Sequence, residues 1–597
     1  MPSNQAIVRF QQRFPTDPFA GHRRSCVVTK SALCLQSMRT VRRMTIVQLL
    51  VLGVWWVAAA RGDDGLVAHW KLQADARDSS GGGHHAVNHG VRFDSEGCAV
   101  FDGRKAWLEV PVSGALKLGR ESFSIAAWVH TDRKLDDVLG DLMACYDPAT
   151  RNGFTLSLMN YAGVTNAQSN WRNLLFGIDA GHVDPAWTDC GRPGTNQQVK
   201  SLTVFNGDLY AAVWESAAGE SGHVYRYAGG THWVDCGSPD KANAIASMAV
   251  YDGNLYVGSE RYSGGGSSLP LSPNETNGGS VFRYDGGTRW ANCGRIADVR
   301  SVSGLTVFNG KLYAGTGTTG AWRDTPRTRG MYRYDGDGNW TSCGCPDLRV
   351  VHLSVHDGNL FGLSYDAGGF FRYDGGTNWT RLGPVPQTDQ VYATAIYEGR
   401  LHAGTWPTGS VFRYGGPQKW THVGRLGQEK EVMGMAVYNG KLYAGTLPFA
   451  DVYRYDGDNK WTSTGRLDNT PDVRYRRAWS MAVFDGMLFC GVLPSGHVLS
   501  LEAGKSVTYD RSLPAGWHHI VAVKSSDRLR LYVDGNRVAE SSEFNPLDYD
   551  LSMNGPLKIG FGQHDYFNGK MKDVRIYNRE LSPHDVELVR SNRALAR

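Results

Sequence analysis

A nine-residue pattern recurs seven times between residues 202 and 489, and it constrains the fold more than any other feature. Each copy joins two apolar runs through an Asn-Gly, Asp-Gly or Glu-Gly pair. Such pairs accept positive φ angles and connect two antiparallel strands in a tight hairpin. The copies are LTVFNGDLY (202–210), MAVYDGNLY (248–256), LTVFNGKLY (305–313), LSVHDGNLF (353–361), TAIYEGRLH (394–402), MAVYNGKLY (435–443) and MAVFDGMLF (481–489). The pattern therefore predicts seven β-hairpins along the middle of the chain.

A second pattern follows each of the first six copies and predicts a further hairpin. Its members are VYRYAGGTHW (224–233), VFRYDGGTRW (281–290), MYRYDGDGNW (331–340), FFRYDGGTNW (370–379), VFRYGGPQKW (411–420) and VYRYDGDNKW (452–461). Each repeat thus contains four strands in about 40–57 residues, which is the unit of a β-propeller blade.

The two ends of the repeat region complement each other. Trp187 begins a fourth-type strand before any first strand, and the seventh unit stops without its Trp. Pairing these ends closes the ring and removes its free sheet edges. We therefore predict a seven-bladed β-propeller over residues 183–504. In their Tyr-Asp and Trp positions the blades resemble kelch-type and tectonin-like propellers, although a single glycine replaces the Gly-Gly pair of kelch blades.

The segments on either side of the repeats show the alternation of half-buried antiparallel strands, as in FSIAAWVH (123–130) and RLRLYVDG (528–535). The phrases FDG…LEVP, GWHHIVAV, LYVDG and DVRIYNREL occur in the order of laminin-G-like, concanavalin-A-type jelly rolls, and the two segments resemble that family. Each segment holds half of the strands, so the resemblance implies one split jelly-roll sandwich, residues 63–182 plus 505–597. The ends of a closed propeller lie side by side, as insertion into a loop of the sandwich requires. The expected fold class is all-β.

Residues 1–62 are interpreted as a leader with a signal peptide at about 38–62. Three arginines precede the apolar run 44–60, whose last residues, Ala58-Ala59-Ala60, suit a signal peptidase. We expect a secreted protein, extracellular or periplasmic, with no integral membrane segment in the mature chain. A single membrane anchor is the alternative, which the short run disfavours.

The charge of the chain is concentrated in this leader. The first 60 residues hold eight Lys or Arg against one acid, which leaves 55 basic and 57 acidic residues elsewhere. The body of the protein therefore has no electrostatic reason to bind nucleic acid.

Variable loops on one face of the predicted ring are the expected binding platform. The second-to-third and fourth-to-first connections of the blades share that face, whereas the short hairpin turns share the other. Aromatic side chains stack on sugar rings, and arginine holds carboxylates in a bidentate fork. The candidate ligand-binding residues are Trp322, Arg323, Trp406, Arg474, Arg477 and Trp479. Loop variation without any ligand is the alternative.

The resemblance to jelly rolls also implies a Ca²⁺ ion near one end of the sandwich. Asp78 and Asp573 are the expected metal ligands, because Ca²⁺ binds oxygen atoms. Capping of the DSSGGG turn by Asp78 is the alternative. Export permits disulfides, and Cys98 and Cys145, which both lie in the sandwich, are the expected pair.

These features favour an exported carbohydrate- or protein-binding protein of adhesion, whose partner is a glycan or an extracellular protein. Both folds are platforms without chemistry of their own. The alternative is a glycan-processing enzyme that uses the propeller loops, which would need an acid/base carboxylate and a nucleophile. The sequence contains no G-x-S-x-G, H-E-x-x-H or P-loop motif, so we assign no catalytic residue. A purely structural role is the third hypothesis.

Overall fold

The computed structural model describes residues 64–597 except 112–113, 117, 162–163, 165, 183, 318–328, 365, 594 and 596–597. The leader and its signal peptide lie outside the described residues. The described chain contains 43 strands, numbered β1–β43 in chain order, and one α-helix, α1 (Pro583–Arg590). Short 3₁₀ turns occur at Gly114–Leu116, Gly265–Ser267 and Pro546–Asp548. None of the helices in this part of the chain has the length and apolarity needed to span a bilayer. The all-β fold class is therefore confirmed.

Two sheets form a sandwich, and each sheet combines strands from both ends of the chain. The outer sheet has the order β3 (Arg92–Phe93), β4 (Ala99–Asp102), β43 (Asn568–Tyr577), β6 (Phe123–Thr131), β39 (Gly516–Lys524), β40 (Leu529–Val533), β41 (Asn536–Glu540), with β1 (Leu66–Trp70) also paired to β43. The inner sheet has the order β2 (Val87–His89), β5 (Trp107–Val110), β42 (Leu557–Ile559), β7 (Gly140–Asp147), β8 (Asn152–Tyr161), β9 (Asn170–Ala180), β38 (Lys505–Tyr509). Side chains such as Ile125, Phe154 and Ile520 fill the core between the sheets.

The strands between β9 and β38 form seven blades of four strands, of which blades 1 and 2 share one eight-stranded sheet through the pairing of Trp214 with Ala244. Blade 1 is β11 (Gln198–Phe205), β12 (Asp208–Trp214), β13 (Val224–Tyr227), β14 (Trp233–Asp235); blade 2 is β15 (Ala244–Tyr251), β16 (Asn254–Glu260), β17 (Ser280–Tyr284), β18 (Trp290–Arg295); blade 3 is β19 (Val302–Phe308), β20 (Lys311–Thr316), β21 (Gly330–Gly336), β22 (Asn339–Ser342); blade 4 is β23 (His352–His356), β24 (Asn359–Leu363), β25 (Phe370–Gly375), β26 (Asn378–Arg381). Blade 5 is β27 (Gln390–Tyr397), β28 (Arg400–Trp406), β29 (Ser410–Tyr414), β30 (Trp420–Arg425); blade 6 is β31 (Glu431–Tyr438), β32 (Lys441–Leu447), β33 (Asp451–Tyr455), β34 (Trp461–Arg466); blade 7 is β35 (Arg477–Phe484), β36 (Met487–Leu493), β37 (Val498–Leu501) and β10 (Thr188–Asp189).

The ring closes through blade 7. Its fourth strand, β10, comes from the N-terminal side and pairs with β37, so that Thr188 lies opposite Ser500. The first strands of neighbouring blades contact one another around the whole ring, including β35 against β11. Closure leaves no free edge at either end of the repeat region.

Six of the seven repeated tryptophans hydrogen-bond to the blade before their own, and the exception is Trp420, whose Nε1 atom is buried without a hydrogen-bond partner. The indole Nε1 of Trp233 donates to the Cys190 carbonyl at 2.9 Å, and that of Trp290 donates to the Cys236 carbonyl at 2.9 Å. Blade 3 repeats the contact from Trp340. The pattern therefore places packing residues, rather than ligand-binding residues, at these positions.

The expected Cys98–Cys145 disulfide is not formed. All eight cysteines of the described chain are free thiols. Cys98 precedes β4 of the outer sheet, whereas Cys145 lies in β7 of the inner sheet, where its Sγ contacts the Met553 sulfur at 3.5 Å. The two thiols therefore belong to opposite sheets of the sandwich, and a disulfide needs Cα atoms within about 7 Å.

The first hairpin turn of every blade rests on the sandwich. The Gly207 amide of blade 1 donates to the Asp510 carbonyl, and the Asn439 side chain of blade 6 donates to the Ile178 carbonyl, both at 3.0 Å. The other five turns make comparable contacts, to Arg133, Leu135, Asp137, Gln563 and Asp510. The first turn residue has positive φ in all seven blades, as the Gly-containing pairs predict. We call this the turn face; the opposite loop face lies away from the sandwich.

Candidate functional site

Arg477 and Trp479 lie at the start of β35 on the loop face, but both are buried. Arg477 donates to the Ser267 hydroxyl at 2.7 Å and to the Gly266 carbonyl at 2.7 Å, which ties blade 7 to the long loop of blade 2. Trp479 is 1% exposed and packs edge-to-face against Tyr392. These two predicted ligand residues therefore act as packing and clamping groups in this structure.

A buried ion pair lies beside them at the centre of the ring. Lys200 and Glu260 are both 0% exposed, and their charged atoms are 2.8 Å apart. The Lys200 ammonium also lies 3.7 Å from the centroid of the Tyr262 ring. Pairing and a cation–π contact compensate the loss of hydration of the Lys200 charge.

Glu431 is a second buried carboxylate in this region. One of its oxygens has no hydrogen-bond partner, and burial raises its pKa to about 7, against the opposing charge of Arg477. Its folded-state pKa therefore exceeds the ordinary value of 4.5 for an unfolded chain. Between these values the folded state holds a proton that the unfolded state lacks, so stability decreases as the pH rises from about 4.5 to about 7.

The Glu431→Gln variant should remove this pH dependence. At pH 8 the variant should be more stable than the wild type, and the difference should shrink by about 3 kcal/mol at pH 5, where Glu431 is neutral in the folded protein. Thermal unfolding of both proteins at the two pH values measures the effect. Glu275→Gln, at an exposed loop position, is the control. A stability difference independent of pH would contradict the prediction.

The remaining loop-face candidates fall into two groups. Trp406 is half-buried and packs edge-to-face on Tyr475, and the exposed Arg474 lies 4.8 Å above the same Tyr475 ring. These residues therefore form one accessible patch on the rim. Trp322 and Arg323 lie outside the described residues.

The expected calcium ligands flank His69 in the sandwich. Asp78 accepts the amides of His69, Ser80 and His84 and the Ser80 hydroxyl, all within 2.9 Å. Burial opposes ionisation of Asp78, but these hydrogen bonds outweigh it and keep its pKa below the usual range. Its carboxylate thus caps the DSSGGG turn.

The carboxylate of Asp573 is likewise engaged. It accepts from Arg575 at 3.0 Å and is hydrogen-bonded to His69. Burial raises the pKa of Asp573, but the His69 and Arg575 contacts outweigh that effect and lower it. Because cationic or neutral donors surround both carboxylates, the arrangement does not fit Ca²⁺ at these two residues.

The outer sheet carries an open groove of 660 Å³ on its face away from the propeller. Strand alternation turns Ile125 and Val129 into the core and Trp128 to the opposite face. In the neighbouring strand β39, Trp517 lies opposite His130 and faces the same side. The groove is lined by His69, Lys71, Gln73, Trp128, Trp517, Lys572, Asp573 and Asn592.

Aromatic rings and a lysine ammonium contact one another in and beside this groove. The Lys572 ammonium lies 4.5 Å from the centroid of the Trp517 ring, and Trp128 packs against His519. Lys71 is exposed at the groove edge. The one carboxylate in the lining, Asp573, is paired with Arg575, so Lys71 and Lys572 leave the surface with positive charge.

Neither tryptophan of this groove was among the binding residues predicted from the sequence. The two tryptophans lie in strands that are adjacent in the sheet but belong to opposite ends of the chain. A usable signal was present, because strict alternation puts each Trp on the face that also carries histidines rather than on the core face.

The sequence comparisons support the sandwich assignment. Residues 478–587 match the family model of the concanavalin A-like lectin/glucanases superfamily. The match covers the C-terminal strands of the sandwich and begins within β35 of the last blade. No curated protein matches the sequence.

Solved structures with a similar architecture are distant in sequence. A streptogramin B lyase structure has 9% identity and a TM-score of 0.41 over 53% of this chain and 97% of its own. Virginiamycin B lyase from Staphylococcus aureus has 10% identity and a TM-score of 0.40 over 53% and 98%. BamB from Moraxella catarrhalis has 11% identity and a TM-score of 0.31 over 64% and 97%.

Proposed function

We propose that the protein is exported and binds carbohydrate in the groove of the outer sheet. The observation that carries the proposal is the pair of half-buried tryptophans, Trp128 and Trp517, in an open groove of 660 Å³. Flat indole rings stack on the apolar faces of sugars, and polar groups beside them fix orientation. His69, Gln73 and Asn592 supply such groups.

The charge of the groove favours a glycan that carries carboxylate or sulfate groups. Lys71 and Lys572 are the cations that face the opening, whereas the Asp573 carboxylate is satisfied by Arg575. A flexible ammonium pairs with an anionic substituent as a point charge. We therefore expect acidic oligosaccharides to bind more tightly than neutral ones, with an affinity that decreases as salt is added.

Substitution of Trp517 tests the proposal. Trp517→Ala should weaken binding of a glycan identified on an array by about tenfold, the equivalent of one aromatic contact. Trp517→Phe, which keeps an aromatic ring, should retain most of the affinity. Lys572→Ala should reduce binding of acidic glycans and leave neutral ones unaffected.

Arg474→Ala is the matched control, because Arg474 is exposed on the propeller loop face rather than in the groove. If Arg474→Ala abolished binding and Trp517→Ala did not, the loop face would be the ligand site. Absence of binding on an array of neutral and acidic glycans would overturn the proposal and favour an extracellular protein partner.

Glycan processing at the loop face is the alternative function. In the structure Glu260 is paired with Lys200, and Arg477 is bonded to Ser267 and Gly266. These groups are thus engaged in packing contacts. Analysis of the same glycans for cleavage products after incubation would detect an activity of this kind.

A further inference from the structure

Three potential metal ligands meet where the propeller rests on the sandwich. Asp137 lies between β6 and β7, in the N-terminal half of the sandwich, and Asp565 lies between β42 and β43, in the C-terminal half. His356 ends the first strand of blade 4, just before its turn. Their ligand atoms lie within 4.8 Å of one another. Each of the three chain segments therefore contributes one residue.

Two of the three residues have a ligand atom that is buried without a hydrogen-bond partner, whereas Asp137 accepts the Val138 and Gly358 amides. The Asp565 Oδ2 atom is buried without a hydrogen-bond partner, and Asp565 is 1% exposed. The His356 Nδ1 atom is also buried without a partner and lies 3.7 Å from that oxygen. Ligand atoms around a tetrahedral ion with bonds of about 2.1 Å are separated by about 3.4 Å, which is close to this distance.

Among the described residues, Asp565 has an ion-pair contact with His356 and with no lysine or arginine. At 3.7 Å, the His356 Nδ1 atom is too far from the Asp565 oxygen for a hydrogen bond.

The surrounding charged groups do not supply the missing cation. Asp141 accepts the backbone amides of His564 and Asp565 and adds negative charge next to the cluster. Arg104 pairs with the exposed Asp357 at 3.1 Å rather than with Asp137 or Asp565. A divalent ion would balance the two carboxylates and use the unpartnered atoms of His356 and Asp565.

We propose that Asp137, His356 and Asp565 bind one divalent transition-metal ion, Zn²⁺ by preference, which fastens the propeller to both halves of the sandwich. An imidazole with two carboxylates is a mixed nitrogen and oxygen donor set, which suits Zn²⁺ or Mn²⁺ better than Ca²⁺. The ion would link three segments that are distant in the sequence.

A cleft of 840 Å³ gives an ion access to this place. His356 and Asp565 line it, together with residues that include Arg104, Arg400 and Tyr566. Three protein ligands leave at least one coordination position for water, which the open cleft can supply.

Metal binding to the purified protein tests the inference. After treatment with chelator and dialysis, titration with Zn²⁺ or Mn²⁺ should show one equivalent bound, and the thermal unfolding temperature should rise with Zn²⁺. Asp565→Asn should weaken Zn²⁺ binding by more than about 100-fold, since loss of a supporting residue alone costs up to that factor. Asp357→Asn, an exposed carboxylate next to His356, is the matched control and should bind normally.

The variants also separate metal binding from misfolding. Asp565→Asn removes a buried charge, so without metal it should unfold at no lower a temperature than the metal-free wild type, while Zn²⁺ no longer stabilises it. His356→Gln, on a half-buried side chain, should show the same loss of Zn²⁺ stabilisation. Failure of the wild type to bind either ion, or equal binding by Asp565→Asn, would overturn the inference.

Discussion

Replacing Lys200 with methionine is expected to destabilise the propeller by about 3–5 kcal/mol, because it leaves a buried charge without its partner. Lys200 and Glu260 are completely buried, and their charged atoms are 2.8 Å apart. Methionine fills a similar volume but cannot neutralise the Glu260 carboxylate. Lys200 lies in β11 of blade 1, and Glu260 is the last residue of β16 of blade 2. The substitution therefore removes an ion pair that joins these two blades at the centre of the ring. Calorimetric thermal unfolding measures the loss of stability.

A double variant shows whether the cost comes from the unpaired charge. Lys200→Met with Glu260→Gln should recover most of the lost stability, since neither buried charge remains. Lys311→Met, at an exposed position of β20, is the control and should change the unfolding temperature little. An effect of Lys200→Met no larger than that of Lys311→Met would contradict the prediction.

The second large effect is expected where the propeller meets the inner sheet. The Lys441 ammonium of blade 6 lies 2.5 Å from the Asp179 carboxylate of β9, and the two side chains are 2% and 1% exposed. Lys441 also donates to the Asn439 carbonyl at 2.9 Å. Lys441→Met should cost about 3–5 kcal/mol, because Asp179 would remain buried and charged at the interface.

Loss of the Lys441–Asp179 ion pair should uncouple the unfolding of the propeller from that of the sandwich. Calorimetry of Lys441→Met should show a lower first transition, and protease should cleave more rapidly in the connection between β9 and β10. Lys419→Met, on the exposed edge of blade 5, is the matched control. The combination of Lys441→Met with Asp179→Asn should restore much of the stability. If Lys441→Met unfolded and resisted protease like the control, the pair would not hold the interface together.

The repeats predicted the propeller because each hairpin is specified by a few consecutive residues. An Asn-Gly or Asp-Gly pair between two apolar runs requires positive φ at the turn, and Asn206 and Asp485 adopt φ of 57° and 48°. The unmatched Trp187 strand likewise anticipated the pairing of β10 with β37. The alternation of residues in the two flanking segments predicted strands. Each sheet of the sandwich contains strands from both segments.

The site predictions depended on packing that no local pattern reports. Arg477 and Trp479 were expected to face a ligand, but the long loop of blade 2 and Tyr392 bury them. Asp78 caps its own turn rather than adopting a free position. Loop-face location was therefore predictable, whereas accessibility depended on how neighbouring blades and loops pack.

Local residue patterns specify the strands, the turns and the closure of the ring, because backbone conformation and alternation are set by residues close together in the chain. Only the tertiary fold pairs the strand of Trp128 with β39, which carries Trp517. It also brings Asp137 close to His356 and Asp565. Such juxtapositions depend on which strands pair and on how the turn face docks on the sandwich. Strand pairing and docking depend on the burial of whole surfaces, which are built from residues far apart in the chain. No local sequence pattern therefore predicts them.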